Sequence, residues 1–178
     1  MSIAGRRVML RPISLEDCTD RYVQWLRDPE VNQYLETRWM EQTIESVRAF
    51  VLAVAQDPSS HLLAIVEVET GRHIGNIKIG PIRPHHNYAD LSYFIGDRDY
   101  WGRGYATEAI QLATRLGFER LGLHRIQAGA YAGNIAGART LEKAGFVRDA
   151  VMHRQLMGPS GWDDHVWYRL LEEEWRAL

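Results

Sequence analysis

The segment Asp99-Tyr100-Trp101-Gly102-Arg103-Gly104-Tyr105-Ala106-Thr107-Glu108-Ala109 joins a predicted strand to a predicted helix. Its two glycines, Gly102 and Gly104, permit positive φ angles and a close approach of the backbone to a ligand. The first turn of the following helix leaves N–H groups without intrahelical partners, and the helix dipole is positive there. The segment therefore predicts a site for phosphate or pyrophosphate, although a plain tight turn would need the same two glycines.

Two common phosphate-binding loops fit this segment poorly. A Rossmann loop carries a third glycine and follows the first strand of the fold, whereas Gly102-Arg103-Gly104 does neither. A P-loop is excluded here because no Gly-Lys-Ser/Thr sequence follows. An anion site at this position would therefore belong to another fold.

The hydrophobic periodicity on both sides of the loop predicts a regular order of elements. Strands are expected at Val8–Arg11, His61–Val68, His73–Ile82, Tyr88–Ile95, His124–Tyr131, Phe146–Leu156 and Trp162–Leu171. Helices are expected from Ser14 to about Arg27, at 30–35, after Thr43, from the glycine loop to Leu121, and at Asn134–Ala144. This order predicts one mixed α/β (α+β) domain over residues 1–178, with a central, mostly antiparallel sheet of about seven strands flanked by helices.

Composition and charge exclude several classes of protein. The 178 residues include 21 Lys and Arg against 23 Asp and Glu, and this near-neutral balance argues against a general nucleic-acid binder. Cys18 is the only cysteine, so disulfides within the chain and multi-cysteine metal sites are excluded. The seven histidines lack metal-ligand spacing, and no metal is expected. Without a signal peptide or a long apolar run, the protein is expected to be cytoplasmic and not in the membrane.

A second segment, Asn134-Ile135-Ala136-Gly137-Ala138-Arg139-Thr140-Leu141-Glu142-Lys143-Ala144-Gly145-Phe146, follows the glycine loop at a characteristic distance. The two segments together resemble the GNAT superfamily of acetyltransferases, in its RimJ/RimL-like branch. The resemblance extends from Val8 to Leu171 and implies a GNAT fold that uses acetyl-CoA as cosubstrate. It does not specify the acceptor.

The resemblance also assigns residues to the cofactor. In the family, the strand before the loop separates from its neighbour and pairs with the pantetheine arm, while the loop N–H groups hold the pyrophosphate. The cofactor-binding residues implied are Tyr93, Phe94, Ile95, Trp101, Gly102, Arg103, Gly104, Tyr105, Ala106, Thr107, Asn134 and Lys143. Trp101 stands where the family usually has Gln or Arg. Asn134 could equally cap its helix, and Arg103 and Lys143 could be solvated surface residues.

Acetyl transfer needs a neutral amine, and deprotonating a lysine amine at pH 7 costs about 4.6 kcal/mol, against about 1–1.4 kcal/mol for an α-amine. Asp90 on the cofactor strand, where related proteins often carry Glu, is the candidate base; the alternative is a carboxylate without a chemical role. Related enzymes often supply the general acid from positions that are here Gly137 and Leu141. Tyr131 is the candidate acid, and the alternative is direct departure of the thiolate with protonation by water. Cys18 lies far from the loop in sequence, so we expect direct transfer without an acetyl-cysteine.

The acceptor is an amine whose identity stays open. By analogy with RimJ/RimL it is the α-amine of a protein N-terminus, and the alternative is a small amine such as an amino sugar or an aminoglycoside. A non-catalytic module that binds CoA is a third possibility, which the missing hydroxyl groups favour. Both a monomer and a homodimer are compatible with the sequence.

Overall fold

The computed structural model describes residues 2–178 as eight strands and six α-helices. The strands are β1 (Ile3–Ala4), β2 (Val8–Pro12), β3 (His61–Glu67), β4 (His73–Arg83), β5 (Tyr88–Ile95), β6 (Arg125–Tyr131), β7 (Val147–Gly158) and β8 (Gly161–Leu171). The helices are α1 (Asp20–Arg27), α2 (Pro29–Asn32), α3 (Ile44–Gln56), α4 (Tyr105–Glu119), α5 (Ile135–Lys143) and α6 (Glu172–Arg176). Short 3₁₀ helices occupy Leu15–Asp17, Glu36–Trp39 and Arg98–Tyr100.

All eight strands belong to one sheet, in the order β1-β2-β3-β4-β5-β6-β8-β7. Every neighbouring pair is antiparallel except β5 and β6, which are parallel because α4 crosses between them. The predicted mixed, mostly antiparallel sheet is confirmed. The structure adds the two-residue strand β1, which is too short to leave a periodic signal.

The helix predicted from Ser14 to about Arg27 is wrong in its first part. A 3₁₀ turn ends at Asp17, and α1 begins only after Thr19, whose hydroxyl accepts a hydrogen bond from the Tyr22 N–H at 3.4 Å. The reason is that the Asp17 carboxylate accepts two hydrogen bonds from the Arg11 guanidinium, at 2.6 and 2.7 Å. This ion pair anchors the turn to β2, and the chain restarts as a helix behind a new N-cap.

The sheet separates two hydrophobic cores. The larger core lies between the sheet and α4, whose Ala109, Ile110, Ala113 and Leu116 are fully buried. The smaller core joins α1 and α3, as side chains from both helices share one cluster. Successive residues on a strand point to opposite faces, so Tyr93 packs against the larger core and the next residue of β5 against the smaller one.

Among residues 2–178, no helix has the length and apolar character needed to span a membrane.

Candidate active site

The strands β5 and β6 pair for only three residues and then separate. Their parallel register ends at Asp90 opposite Gln127. Beyond that point β5 stays bonded to β4 through Ile95, and β6 stays bonded to β8 through Tyr131. The facing backbone edges of residues 91–95 and 128–131 are therefore open in the middle of the sheet, and unpaired strand edges are where an extended ligand can add hydrogen bonds.

The glycine loop closes one end of this gap. Gly102 and Gly104 have φ angles of +69° and +83°, and a side chain at 102 would meet no atom within 4 Å. Gly104 is the N-cap of α4 and offers no side-chain acceptor to the first turn. The N–H groups of Tyr105, Ala106 and Thr107 thus begin α4 without a side-chain cap, as an anion site requires. The residues present fit a pyrophosphate.

The side chain of Trp101 links the loop to the separated strand. Its indole Nε1–H donates to the Ile95 carbonyl at 2.8 Å, which fixes the loop relative to the end of β5. A cleft runs from the glycine loop along the gap between β5 and β6. Arg103 does not line this cleft, because its guanidinium donates back to the Asp99 carbonyl and lies 5.6 Å from the Tyr105 ring centroid. Arg7 lines the cleft instead and donates to the Arg103 carbonyl at 2.8 Å.

Glu108 explains how Arg7 reaches the loop. Its carboxylate accepts hydrogen bonds from the backbone N–H groups of Arg6 and Arg7, so α4 holds the turn between β1 and β2 beside the glycine loop. No local pattern in the sequence indicates Arg7, because its contact with the loop joins residues about a hundred positions apart.

The helix α5 lines the same end of the cleft as the glycine loop, and we call this end the cofactor half. Asn134 caps α5, since its Oδ1 accepts from the Gly137 N–H at 2.9 Å, and the residue also lines the cleft. Asn134 therefore does act as the N-cap of α5. Its Nδ2 group takes no part in the capping bond and can donate to a ligand. Lys143 lines the cleft together with Arg139, which lies one helical turn earlier and was missed by the sequence analysis.

The three residues predicted to bind pantetheine all line the cleft, on the open part of β5. The Tyr93 hydroxyl donates to the Gly137 carbonyl at 3.2 Å, and burial raises the pKa of Tyr93 to about 12. Phe94 packs in the smaller core against Tyr22 and Trp25. Their side chains are thus engaged in packing, and the backbone of β5 is what a ligand can reach.

The rest of the cleft, which we call the acceptor half, lies on the sheet face that carries α1 and α3. The whole cleft has a volume of about 1630 Å³ and continues from the glycine loop past the open strands to the segment after α2. Its charged lining residues are unevenly distributed: Arg7, Arg139 and Lys143 lie in the cofactor half with Glu108, and Glu30, Glu36 and Glu41 lie in the acceptor half with Lys78. This distribution suits an anionic cofactor and a cationic acceptor.

Tyr131 ends β6 at the centre of the acceptor half. Its hydroxyl donates to the Glu36 carboxylate and accepts from the Arg38 guanidinium at 3.2 Å. Burial and the Glu36 carboxylate raise the pKa of Tyr131 to about 12, so the phenol keeps its proton at neutral pH. The Tyr34 ring packs against the Tyr131 ring at a centroid distance of 5.5 Å. Tyr131 was predicted from the sequence, whereas its two charged partners, Glu36 and Arg38, were not.

Asp90 takes a different position from the one its predicted role needs. It lies at the last position of β5 that pairs with β6, and its Oδ1 accepts a hydrogen bond from the Gln127 side-chain amide at 2.8 Å. Asp90 is absent from the lining of the cleft. Its role as the base remains a prediction without support from this geometry.

Two further side chains bear on the predicted chemistry. His165 on β8 lines the cleft opposite Tyr131 and was not among the predicted residues. Cys18 is buried in the smaller core and does not line the cleft, and burial raises the pKa of its thiol. Groups of three or more potential metal ligands are absent from residues 2–178.

The comparisons with known proteins assign the family. The model of the acetyltransferase (GNAT) domain matches residues 7–147, which is most of the chain and includes both sequence segments. The chain is a GNAT acetyltransferase. The GNAT chain is 29% identical over 178 residues to the Bacillus subtilis protein named "Uncharacterized N-acetyltransferase YnaD", and the match covers 98% of this chain and 99% of that one. It is 32% identical over 158 residues to "Uncharacterized N-acetyltransferase YoaA" of the same organism, with 87% of each chain covered.

Solved structures share the fold of this GNAT acetyltransferase. A Bacillus anthracis acetyltransferase of the GNAT family superposes with a TM-score of 0.83 at 24% identity, covering 97% of this chain and 99% of that chain. The spermidine N-acetyltransferase of Vibrio cholerae, solved with CoA and spermine, superposes with a TM-score of 0.84 at 17% identity, covering 96% and 98%. At these identities the likeness establishes the fold alone.

Proposed function

We propose that the chain transfers the acetyl group of acetyl-CoA directly to a primary amine that enters the cleft as a cation. The observation that carries the proposal is the gap between β5 and β6, which leads from the glycine loop into the acceptor half. A thioester held along β5 would present its carbonyl where the strands begin to separate, and the amine would approach from the face of α1 and α3. A backbone N–H of the open strand is the donor for the tetrahedral oxyanion.

The cofactor half supplies groups for each part of CoA. The N–H groups from Gly102 to Ala106 would hold the pyrophosphate, and the backbone of residues 93–95 would pair with the pantetheine arm. The Asn134 amide would bond the same arm, while Lys143 and the neighbouring Arg139 would neutralise phosphate charge. Arg103 would need a new side-chain rotamer to join them, because its guanidinium now faces Asp99.

Direct transfer is supported by the state of the one cysteine. Cys18 is 6% exposed, outside the cleft, and has a raised thiol pKa, which together oppose a thiolate nucleophile. The Tyr131 phenol, which keeps its proton at neutral pH, is the donor we propose for the departing CoA thiolate.

Glu36 is the side chain that we propose recognises the cationic acceptor. Its exposed carboxylate is held by the Tyr131 hydroxyl, and within residues 2–178 it makes no ion pair, whereas Glu30 is paired with Arg98 at 2.8 Å. The acceptor we favour is a protein N-terminal α-amine, as in the RimJ/RimL-like branch, because a weak base suffices for its low pKa. A small amine is the second candidate, and the Vibrio cholerae neighbour that was solved with spermine adds polyamines to it. Use of acetyl-CoA also fits a cytoplasmic protein.

The test is a thiol-release assay with purified protein, acetyl-CoA and three acceptors: a short peptide with a free N-terminus, glucosamine and spermidine. We expect saturable thiol release with one of them. Glu36→Gln should raise the KM of that acceptor about tenfold, since hydrogen bonds to charged groups contribute roughly 1.5–3 kcal/mol. Glu45→Gln, an exposed carboxylate on α3 outside the cleft, is the matched control. Tight CoA binding without thiol release from any acceptor would support the non-catalytic alternative, and absence of CoA binding would contradict both.

A further inference from the structure

Three residues from three strands meet on one face of the sheet where β5 and β6 separate. Ser92 on β5, Gly129 on β6 and His165 on β8 all line the cleft. Gly129 shares its face of β6 with Tyr131, and Tyr131 is the register partner of His165. Phe94 on β5 points to the same face of the sheet and packs against the smaller core. This is therefore the face that carries the acceptor half. His165 therefore stands beside the position from which an amine would attack.

The absence of a side chain at Gly129 gives His165 its place. A Cβ at position 129 would collide with Nε2 of His165, so the imidazole edge lies directly over the backbone of β6. Gly129 itself is exposed, because the neighbouring strand has moved away. The ring nitrogen nearest the open strand edge is thus Nε2.

The other ring nitrogen is fixed by a partner on β7. Nδ1 of His165 lies 2.8 Å from Oε1 of Gln155, an oxygen that can only accept a hydrogen bond. In this arrangement Nδ1 carries the hydrogen and Nε2 carries the lone pair. A neighbour that fixes the tautomer in this way is what a histidine base requires.

The surroundings keep the imidazole neutral. Partial burial lowers the pKa of His165 below its ordinary value of 6.5, against the opposing charge of Glu36. On β6, Tyr131 faces it as a neutral phenol bonded to Glu36 and Arg38. Asp163, two residues earlier on β8, accepts from the backbone N–H groups of Gly133 and Asp164. The partner on β7, Gln155, carries no charge.

We propose that His165 is the general base of the transfer and that Gln155 is its positioning residue; this inference rests on the proposed function. Nε2 takes one proton from the acceptor ammonium. The neutral amine nitrogen then bonds to the acetyl carbonyl carbon and the C–S bond breaks. Tyr131 protonates the departing CoA thiolate, and the second amine proton restores the Tyr131 phenol. The products are the N-acetylated amine, CoA thiol and protonated His165, which returns its proton to solvent.

The first test is the pH profile of kcat/KM with whichever acceptor of the three-amine panel the wild-type protein turns over. His165→Gln should lower kcat/KM at pH 7 about 100-fold, the lower end of what a general base contributes, and remove the acidic limb of the profile. Gln155→Glu should move that limb to higher pH, because a carboxylate at Nδ1–H favours the imidazolium. His153→Gln, whose side chain is 82% exposed on β7, should leave rate and profile unchanged.

The second test needs no acceptor. In protein with ¹⁵N-labelled histidine, the ¹⁵N shifts of His165 should show the Nδ1–H tautomer at pH 7, with CoA present. His165→Gln serves to assign the signal, and Gln155→Leu should abolish the tautomer preference. An imidazolium or an Nε2–H tautomer at pH 7 would overturn the proposal.

The outcomes separate this inference from the proposed function. If the wild type acetylates an amine and His165→Gln keeps its rate and acidic limb, the base assignment falls and the function stands. If Asp90→Asn instead removes the acidic limb, the base is Asp90. If the wild type binds acetyl-CoA but acetylates none of the amines, the proposed function fails and the base with it. Should His165→Gln misfold, the shift in Gln155→Glu and the tautomer decide.

Discussion

Tyr131 shows what a single residue contributes to this cleft. Its hydroxyl lies between a carboxylate and a guanidinium, both from the 3₁₀ helix Glu36–Trp39, and the phenol therefore ties that helix to the end of β6. With a pKa of about 12, the phenol stays protonated at neutral pH. It therefore cannot act as a base, but it can donate a proton to a thiolate. The same hydroxyl thus has two structural partners and, in the proposed function, a chemical use.

Tyr131→Phe should lower kcat about 100-fold with the best acceptor, because the loss of a general acid typically costs 10² or more. The KM for acetyl-CoA should change little, since the ring and its packing on Tyr34 are retained. Thiol release measures both constants. Tyr34→Phe, which removes a hydroxyl bonded to the Gly133 carbonyl at 3.0 Å, is the control. An unchanged kcat with a raised acceptor KM would reassign Tyr131 to acceptor binding.

At the scale of elements, α4 and the glycine loop form one unit. Gly102 precedes the helix at a φ of +69°, and Gly122 follows it at a φ of +64°; a Cβ at either position would meet nothing within 4 Å. Both positions therefore require the same left-handed backbone conformation, but only Gly102 lies in the cleft. Substitutions at these two glycines therefore separate the effect of a strained turn on the free energy of unfolding from an effect on cofactor binding.

Gly102→Ala and Gly122→Ala should each lower the free energy of unfolding by about 1 kcal/mol, the cost of a left-handed conformation with a Cβ. Only Gly102→Ala should weaken acetyl-CoA binding, at least tenfold, because its methyl group would stand where the pyrophosphate approaches the backbone. Denaturant unfolding and calorimetric titration measure the two effects. Equal affinities in the two variants would exclude Gly102 from the cofactor site.

The 3₁₀ turn before α1 depends on an ion pair. Burial raises the pKa of Asp17, but hydrogen bonds from Arg11 and Ser14 outweigh it, and the net pKa lies below the ordinary value of 3.8. His73 contributes little charge, because burial lowers its pKa and leaves it neutral at pH 7. The carboxylate is 7% exposed, so its partner on β2 is essential.

Asp17→Asn should lower the free energy of unfolding by about 2 kcal/mol at pH 7, because it removes the charged hydrogen bonds to Arg11, whose partly exposed guanidinium is still hydrated. A carboxyl group whose folded pKa is lowered stabilises the protein above its unfolded pKa and loses this effect as pH falls through the folded pKa. The difference between wild type and variant should therefore shrink below pH 3.8. Urea unfolding at several pH values measures it, with the exposed Glu16→Gln as control. A difference independent of pH would contradict the ion-pair explanation.

At the scale of the molecule, the sheet behaves as two halves that share three residue pairs. The half from β1 to β5 carries the smaller core, and the half from β6 to β8 carries the outer hairpin. The halves meet at Tyr88 to Asp90 and Arg125 to Gln127 and separate beyond. A ligand that fills the gap would reconnect them.

Acetyl-CoA should therefore increase the amide hydrogen-exchange protection of residues 91–95 and 128–131, and leave β2 and β3 unchanged. At 100 times its Kd, the ligand should also add about 2.7 kcal/mol to the free energy of unfolding. Exchange followed by mass spectrometry measures the first effect, and coenzyme-free protein is the reference. Protection confined to the glycine loop would contradict binding along β5.

The sequence by itself determined the elements, because periodicity and glycine positions are local properties of the chain. It predicted the loop at Gly102 to Ala106, the strand Tyr88–Ile95 and the helix after Asn134, and these exist with nearly the expected bounds. It also identified the family, which depends on two segments that are each continuous. The break before α1 was not predicted, because its cause is a contact between Asp17 in the 3₁₀ turn and Arg11 on β2.

Only the tertiary structure decided which side chains share the acceptor half. Glu36, Tyr131 and His165 come from a 3₁₀ helix and two strands that are far apart in sequence, and no spacing links them. Asp90 has the right residue type on the right strand, yet its position before the separation of β5 and β6 directs it to Gln127. Elements follow from neighbouring residues, whereas a cleft follows from how distant elements pack, and that packing placed these three groups together.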